Sequence, residues 1–366
     1  MSAFFYIANI RFPTERAHGI QVAKMCEALG ENGAKVTLLV PDRKTFAGDP
    51  FSYYGTRHNF QVEKISVPDV VSLGRIGFLF ESVLFAYRAA KRLRTQNEAL
   101  IYTREELPLL FLPKKSAFYE MHQLRGSFLA RLLLKRAKRI IVISNGLKEA
   151  LFYIGYPRER VAVAHDGFDE REFGVRLSKG EARARLTLPK EAKLAMYIGG
   201  FEVWKGLRTL LDAARLLKER GINVAVIGGT EFENNSLSIK YPEVRFLGYR
   251  PYTELAFNQQ AADVLVIPNS GRERISREFT SPLKLFAHMA SGRPIVASRL
   301  PSLCEVLSDE SAYLVPPNDP TALAEGIRTA CEREEESERK AAVANSRVRE
   351  FTWVKRAKDI LAFIED

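Results

Sequence analysis

Residues 281–298 read Ser281-Pro282-Leu283-Lys284-Leu285-Phe286-Ala287-His288-Met289-Ala290-Ser291-Gly292-Arg293-Pro294-Ile295-Val296-Ala297-Ser298. The stretch holds a helix start, a short helix, a stop and a buried strand. Ser281 is a good N-cap residue, and Pro282 suits the first helical position, where its missing N–H costs nothing. Gly292 can take a left-handed C-terminal cap, and Pro294 forbids continuation. Ile295 to Ala297 then form a short apolar strand. A helix start carries unpaired N–H groups and about half a positive charge, which suits a phosphate. An ordinary helix–strand unit of a parallel sheet reads the same way, so the rest of the chain has to decide.

Working outward, short apolar runs alternate with helical patterns along the whole chain, which argues for parallel sheets with crossover helices. In the first half, strands are expected at Phe4–Ala8, Val36–Val40, Leu100–Thr103, Ala117–Glu120, Ile140–Ser144 and Val161–Ala164. Helices fit Gly19–Leu29, Glu81–Leu93, Phe128–Arg136 and Gly146–Phe152. After the polar stretch Asp169–Gly180 a second series begins. Its strands are Leu194–Ile198, Val224–Ile227, Val244–Leu247, Val264–Ile267, Ile295–Ala297 and Ala312–Val315. Its helices are Gly206–Glu219, Thr253–Gln260, Leu283–Ala290, Thr321–Arg333, Glu336–Arg349 and Val354–Ile364. Asp42–Thr56 reads as a long irregular loop of the kind that lies near an acceptor site. The fold class is therefore α/β: two Rossmann-like domains, 1–170 and 171–350, with a helix over 351–366 packing back on the first. Ligands of such sheets bind beyond the carboxyl ends of the strands, so the expected site is a cleft between the domains.

A length of 366 residues fits two domains, since single cores stop growing near about 250–300 residues. No apolar run reaches the ~18–20 residues of a membrane span, and no signal-peptide layout opens the chain. Cys26, Cys304 and Cys331 are too scattered for a disulfide framework or a zinc site, which points to a cytoplasmic protein. The net charge is +11, and about eight of those charges fall before residue 170. Two basic, apolar stretches stand out, Phe78–Arg94 and Phe128–Arg139. Such helices suit an anionic membrane surface, which would make the protein peripheral at the inner face of the membrane. A core-facing helix with a solvated basic edge is the plain alternative. No nucleic-acid motif is present.

Several strand ends carry loops suited to an anion. Arg16-Ala17-His18-Gly19 follows the first strand; it lacks the dinucleotide fingerprint, but one glycine still permits close backbone approach. Glu120-Met121-His122 ends another strand. Gly199-Gly200 leads to Lys205, a cation at a helix start, where it opposes the helix dipole; an anionic ligand would explain it. Gly228-Gly229, Gly248-Tyr249-Arg250 and Val264–Pro268 turn toward the same edge.

Together these residues resemble the GT-B fold of glycosyltransferase family 4, over nearly the whole chain. The resemblance rests on His18-Gly19-Ile20, Glu120-x-His122, Asp166–Asp169, Gly199–Gly206, Phe246–Tyr249, Ala262–Pro268 and Ser281–Ser298. It implies a retaining enzyme that moves a sugar from a nucleoside-diphosphate sugar, UDP before GDP, to a glycan or lipid-linked acceptor. No metal or other cofactor is implied, the nucleotide sugar being a substrate. By the resemblance, Gly19 faces the donor diphosphate, His122 lies near the transferred sugar and Lys205 neutralises the diphosphate. Gly199, Gly200 and Gly229 line the donor loops, while Tyr249 and Arg250 hold the base. Ser281, Pro282, Leu283 and Lys284 bind phosphate, and Arg16, His18 and Arg104 lie on the acceptor side. Two positions depart from the pattern. Gly200 stands where many members have arginine, and Ala287 stands where a glutamate that binds the ribose is expected. Glu278 lies at the wrong spacing to replace it. Ala287 is read as an engineered change or as the mark of a lineage that holds its donor differently. The alternatives are a nucleotide-sugar epimerase of the same fold and a catalytically impaired nucleotide-sugar-binding protein.

Overall fold

The computed structural model describes residues 3–46, 48–96, 98–174 and 177–365. The chain forms two compact units: Met1–His165 with Trp353–Asp366, and Asp166–Thr352. The changeover thus falls a few residues earlier than the polar stretch after 169 suggests. The reason is local bonding: the Asp166 N–H donates to the Ser281 hydroxyl at 3.0 Å, and the Phe168 N–H to the Phe351 carbonyl at 3.0 Å.

The first unit is built on seven parallel strands: β1 (Ala3–Ile7), β2 (Lys35–Pro41), β3 (Gln61–Ile65), β4 (Leu100–Thr103), β5 (Ala117–Met121), β6 (Ile140–Val142) and β7 (Val161–Val163). Their order is β3-β2-β1-β4-β5-β6-β7. Phe4, Tyr6 and Ile7 of β1 are wholly buried, as expected of a strand covered on both faces. The last helix, Trp353–Glu365, packs against the first, Ala17–Glu31. The second unit has β8 (Lys193–Ile198), β9 (Ile222–Ile227), β10 (Val244–Phe246), β11 (Val264–Ile267), β12 (Ile295–Ser298) and β13 (Tyr313–Val315), in the order β10-β9-β8-β11-β12-β13. Both are Rossmann-like, with the strand order reversing beside β1 and beside β8.

Where the elements differ from the sequence reading, the causes are specific. β3 reads Gln-Val-Glu-Lys-Ile; an edge strand paired only to β2 needs no apolar run. Asp42–Thr56 is not wholly irregular: Asp49 caps a short helix, Pro50–Tyr54. The helix expected from Glu81 begins at Gly74. Its first turns expose apolar side chains, so no polar face marks the period. The helix at Phe128 ends at Leu134, because Arg136 turns back to donate to the carbonyls of Leu109, Leu110 and Leu112. Helix Glu231–Lys240 goes unread because its face is mostly polar, although Thr230 and Glu233 form a capping box.

Ser281 is not the N-cap of Leu283–Ala290. Pro282 holds that place with extended geometry, since the Ser281 hydroxyl is taken by Asp166. Gly292 adopts φ +69°, the left-handed stop. No described helix is long and apolar enough to cross a membrane.

Candidate functional site

In the first unit the site residues follow β1, β4 and β5. Arg16 is the exposed N-cap residue of helix Ala17–Glu31, and Gly19 sits in its first turn. The Gly19 N–H donates to the Arg16 carbonyl at 2.9 Å, so it is not free to face an anion. A Cβ at Gly19 would lie 2.3 Å from the Tyr54 hydroxyl oxygen, so packing against Tyr54 accounts for the glycine. Arg104 follows β4 and donates to the Gln21 side-chain oxygen at 2.6 Å and to the His18 carbonyl at 3.3 Å.

His122, just past β5, places Nε2 2.7 Å from a carboxylate oxygen of Glu120. Burial, then the Arg104 charge, pushes His122 down to about 4. His18 is likewise pushed down to about 4 by burial, then by Arg104, Arg16 and His122. The fold thus gathers Arg16, His18, Arg104 and His122 into one electrostatic neighbourhood of two cations and two neutral imidazoles. Such a set can neutralise an anionic group and hydrogen-bond hydroxyls.

In the second unit the site residues follow β8, β9 and β10 and begin helix Leu283–Ala290. β8 ends in Gly199-Gly200, and the Tyr197 hydroxyl donates to the Gly200 carbonyl at 2.6 Å. Val203–Lys205 makes one 3₁₀ turn. The Lys205 ammonium pairs with Glu202 at 2.8 Å, so the anion sought from outside the chain has a counterpart within it. That carboxylate also fills the space above Gly200, where a Cβ would lie 2.3 Å from it. An arginine at 200 would therefore displace Glu202.

Lys284 is half-buried and places its buried Nζ over the Tyr197 ring, 4.4 Å from the centroid, with no hydrogen-bond partner. Burial, then the Lys205 charge, holds it well below the ordinary lysine range, and Glu202 opposes the shift. Pro282 and Leu283 start its helix, while Ser281 is committed to Asp166. Gly229 has φ +70°, and a Cβ there would lie 2.3 Å from the Phe201 ring, so packing requires it. Tyr249 is exposed, and Arg250 is half-buried with no partner for its Nε.

Ala287 is buried at 4% exposure, and Glu278 is ion-paired with Arg274 at 2.7 Å and Arg277 at 2.9 Å. Among the described residues no three His, Cys, Asp or Glu side chains cluster as a metal site would need.

Glu202 goes unmarked in the sequence, although its i,i+3 spacing from Lys205 is a legible signal. Besides His122, Glu120 meets Gln21, Tyr102 and Arg356. They lie on three other elements, and nothing local announces them.

Residues 192–333 match the family model described as Glycosyl transferases group 1. D-inositol 3-phosphate glycosyltransferase of Corynebacterium kroppenstedtii is 27% identical over 252 residues, 64% of this chain and 54% of that protein. Phosphatidyl-myo-inositol mannosyltransferase of Mycobacterium tuberculosis is 30% identical over 203 residues, 52% of each. The chain thus spans about half the length of the curated relatives it matches. Among solved structures, Anabaena Alr3699/HepE in complex with UDP-glucose superposes with TM-score 0.74 at 18% identity, covering 100% of both chains.

Proposed function

From the match of residues 192–333 to the Glycosyl transferases group 1 family model and from the GT-B fold, we propose that the chain is a retaining glycosyltransferase. It moves a sugar from a UDP-sugar to a glycan or lipid-linked acceptor. The observation that carries this reading is the pair of lysines beside β8. Lys205 is held by Glu202, and the Lys284 Nζ is buried without a hydrogen-bonding counterpart. A diphosphate is the ligand that satisfies both: two lysines meet its charge, and a helix start adds N–H donors. UDP is taken first, with GDP next, because the Anabaena neighbour of the same fold holds UDP-glucose.

The proposed chemistry makes use of that electrostatics. The acceptor hydroxyl attacks the anomeric carbon on the face the diphosphate leaves, and its proton passes to the departing phosphate oxygen. One C–O bond breaks, another forms on the same face, and configuration is retained. The protein's work is to stabilise charge growing on the diphosphate and to keep water out. Arg16, His18 and Arg104 serve the acceptor side, His122 the sugar, and Tyr249 and Arg250 the base.

The first unit supplies a surface for a lipid-linked acceptor. Helix Gly74–Leu93 exposes Ile76, Leu79 and Phe80; it packs on Pro108–Phe111, which packs on Phe128–Leu134, where Phe128 and Leu129 are exposed. Arg75, Lys91, Arg131 and Lys135 are exposed on the same two helices and their ends. This face suits an anionic membrane, at which the protein is peripheral.

A thermal-shift series of UDP-, GDP- and ADP-sugars, followed by transfer assays, tests the reading. Stabilisation by a UDP-sugar is expected, and Lys205→Ala should lower kcat far more than it weakens acceptor binding. No stabilisation by any nucleotide sugar, or full turnover in Lys205→Ala, counts against it. Ala287 favours a second reading, a nucleotide-sugar-binding protein with impaired transfer. Tight donor binding without transfer, even in Ala287→Glu, would favour that one.

A further inference from the structure

Glu120 is wholly buried on β5 and is the centre of a network the reaction scheme above does not use. One carboxylate oxygen accepts from the Gln21 amide at 2.6 Å and stands 2.7 Å from His122 Nε2. The other meets the Arg356 guanidinium at 3.3 Å and accepts the Tyr102 hydroxyl. Arg356, on the last helix, is itself only 5% exposed and donates to the His165 carbonyl at 2.9 Å. On the far side, the Gln21 oxygen accepts from Arg104 at 2.6 Å. First helix, β4, β5 and last helix therefore converge on one carboxylate.

We propose that Glu120 and Arg356 are a positioning pair that keeps the His122 ring with Nε2–H on the carboxylate, so that its Nδ1 lone pair accepts a hydroxyl hydrogen of the bound sugar. The inference rests on the reading of His122 as a sugar contact. An ionised carboxylate only accepts hydrogen bonds, so the imidazole nitrogen facing Glu120 must carry the proton. The other nitrogen is then an acceptor. A buried carboxylate without its cation would instead take up a proton and could donate it to Nε2, leaving Nδ1 protonated and unable to accept. Arg356 prevents this: burial alone would push Glu120 up, but Arg356, His122 and Arg104 together hold it well below the usual carboxylate range. The last helix, 236 positions along the chain, thereby selects which nitrogen of a strand-end histidine faces the substrate.

The test is ¹⁵N NMR of histidine-labelled full-length protein from pH 5 to 9, with the His122 signals assigned by their loss in His122→Ala. His122 should be a neutral, Nε2-protonated ring throughout. The charged groups facing it are Glu120, Arg356 and Arg104, and the first helix adds the neutral, titratable His18. Arg356→Met should move the ring toward the Nδ1-protonated form and lower kcat about tenfold or more, with donor KM little changed. Arg356→Lys should restore the original tautomer. A charged or Nδ1-protonated ring in the unaltered protein overturns the pair, and that arm stands even if Arg356→Met does not fold. An unchanged tautomer in a folded Arg356→Met also overturns it. Full turnover by His122→Ala would instead remove the sugar-contact reading, and with it the pair's role. Lost turnover there together with an Nδ1-protonated native ring would sink the pair alone.

Discussion

Lys284 sits 4.4 Å over the Tyr197 ring with its ammonium nitrogen buried and without a hydrogen-bond partner. Burial and the nearby Lys205 charge lower its proton affinity, and an arriving diphosphate opposes both effects. An opposite charge favours the charged form, so binding should draw a proton onto Lys284. Calorimetric titration with UDP from pH 6 to 10, in buffers of differing ionisation enthalpy, should show net proton uptake over part of that range, and Lys284→Met should abolish it. Uptake that is absent, or that persists in the variant, would refute this role. Lys205 and Lys284 were legible because they stand at a strand end and a helix start. Glu202 carries only its i,i+3 spacing from Lys205 as a signal, and an exposed glutamate with that spacing can as well face water.

At the scale of elements, the turn from β8 into helix Leu207–Lys218 depends on Gly206. It has φ +70°, and a Cβ there would lie 1.9 Å from the Pro268 carbonyl oxygen. Gly206→Ala should therefore cost more than the ~1 kcal/mol of left-handed strain alone, since the clash with β11's exit must also be relieved. Urea unfolding should show a lower midpoint at unchanged slope. The helix itself was readable, since Leu207, Leu210, Leu211, Ala214 and Leu217 recur at helical spacing and are all buried. The start of Gly74–Leu93 was not, because Ile76, Leu79 and Phe80 face outward and erase the contrast that marks a period. That face yields a second element-scale outcome. Sedimentation with anionic lipid vesicles at low salt should pull the protein down, and replacing Leu79, Phe80 and Phe128 by Ser should release it. No vesicle binding at low salt would remove the membrane role. Arg136 and Arg139 are poor choices for that test, since they donate to backbone carbonyls of their own unit and reversing them would unfold it locally.

For the molecule as a whole, buried neutral imidazoles set the response to acid. His288 is wholly buried against Gln259 at 2.8 Å and is pushed down to about 3 by burial, then by Lys284. Below its ordinary value near 6.5 the unfolded chain takes up a proton that the folded chain refuses. Its contribution is thus fully present above about pH 6.5 and lost as pH falls toward 3, at up to about 1.4 kcal/mol per pH unit. His122 and His18 add to the slope down to about 4, by less where solvent reaches them. Denaturation midpoints measured from pH 7 to 4.5 should fall steadily, and His288→Phe should flatten the slope; a flat profile in the unaltered protein would contradict this. By itself the sequence determined the two α/β series, their strand ends and the lysines and histidine placed there. Periodicity, caps and turn residues act between neighbours along the chain. Packing between distant elements selected the partners of the buried polar groups: the Asp166 N–H for the Ser281 hydroxyl, and Arg356 for Glu120 from 236 positions away. Burial is costly to a polar group unless packing brings a partner within about 3 Å, and for these groups the partner comes from another element.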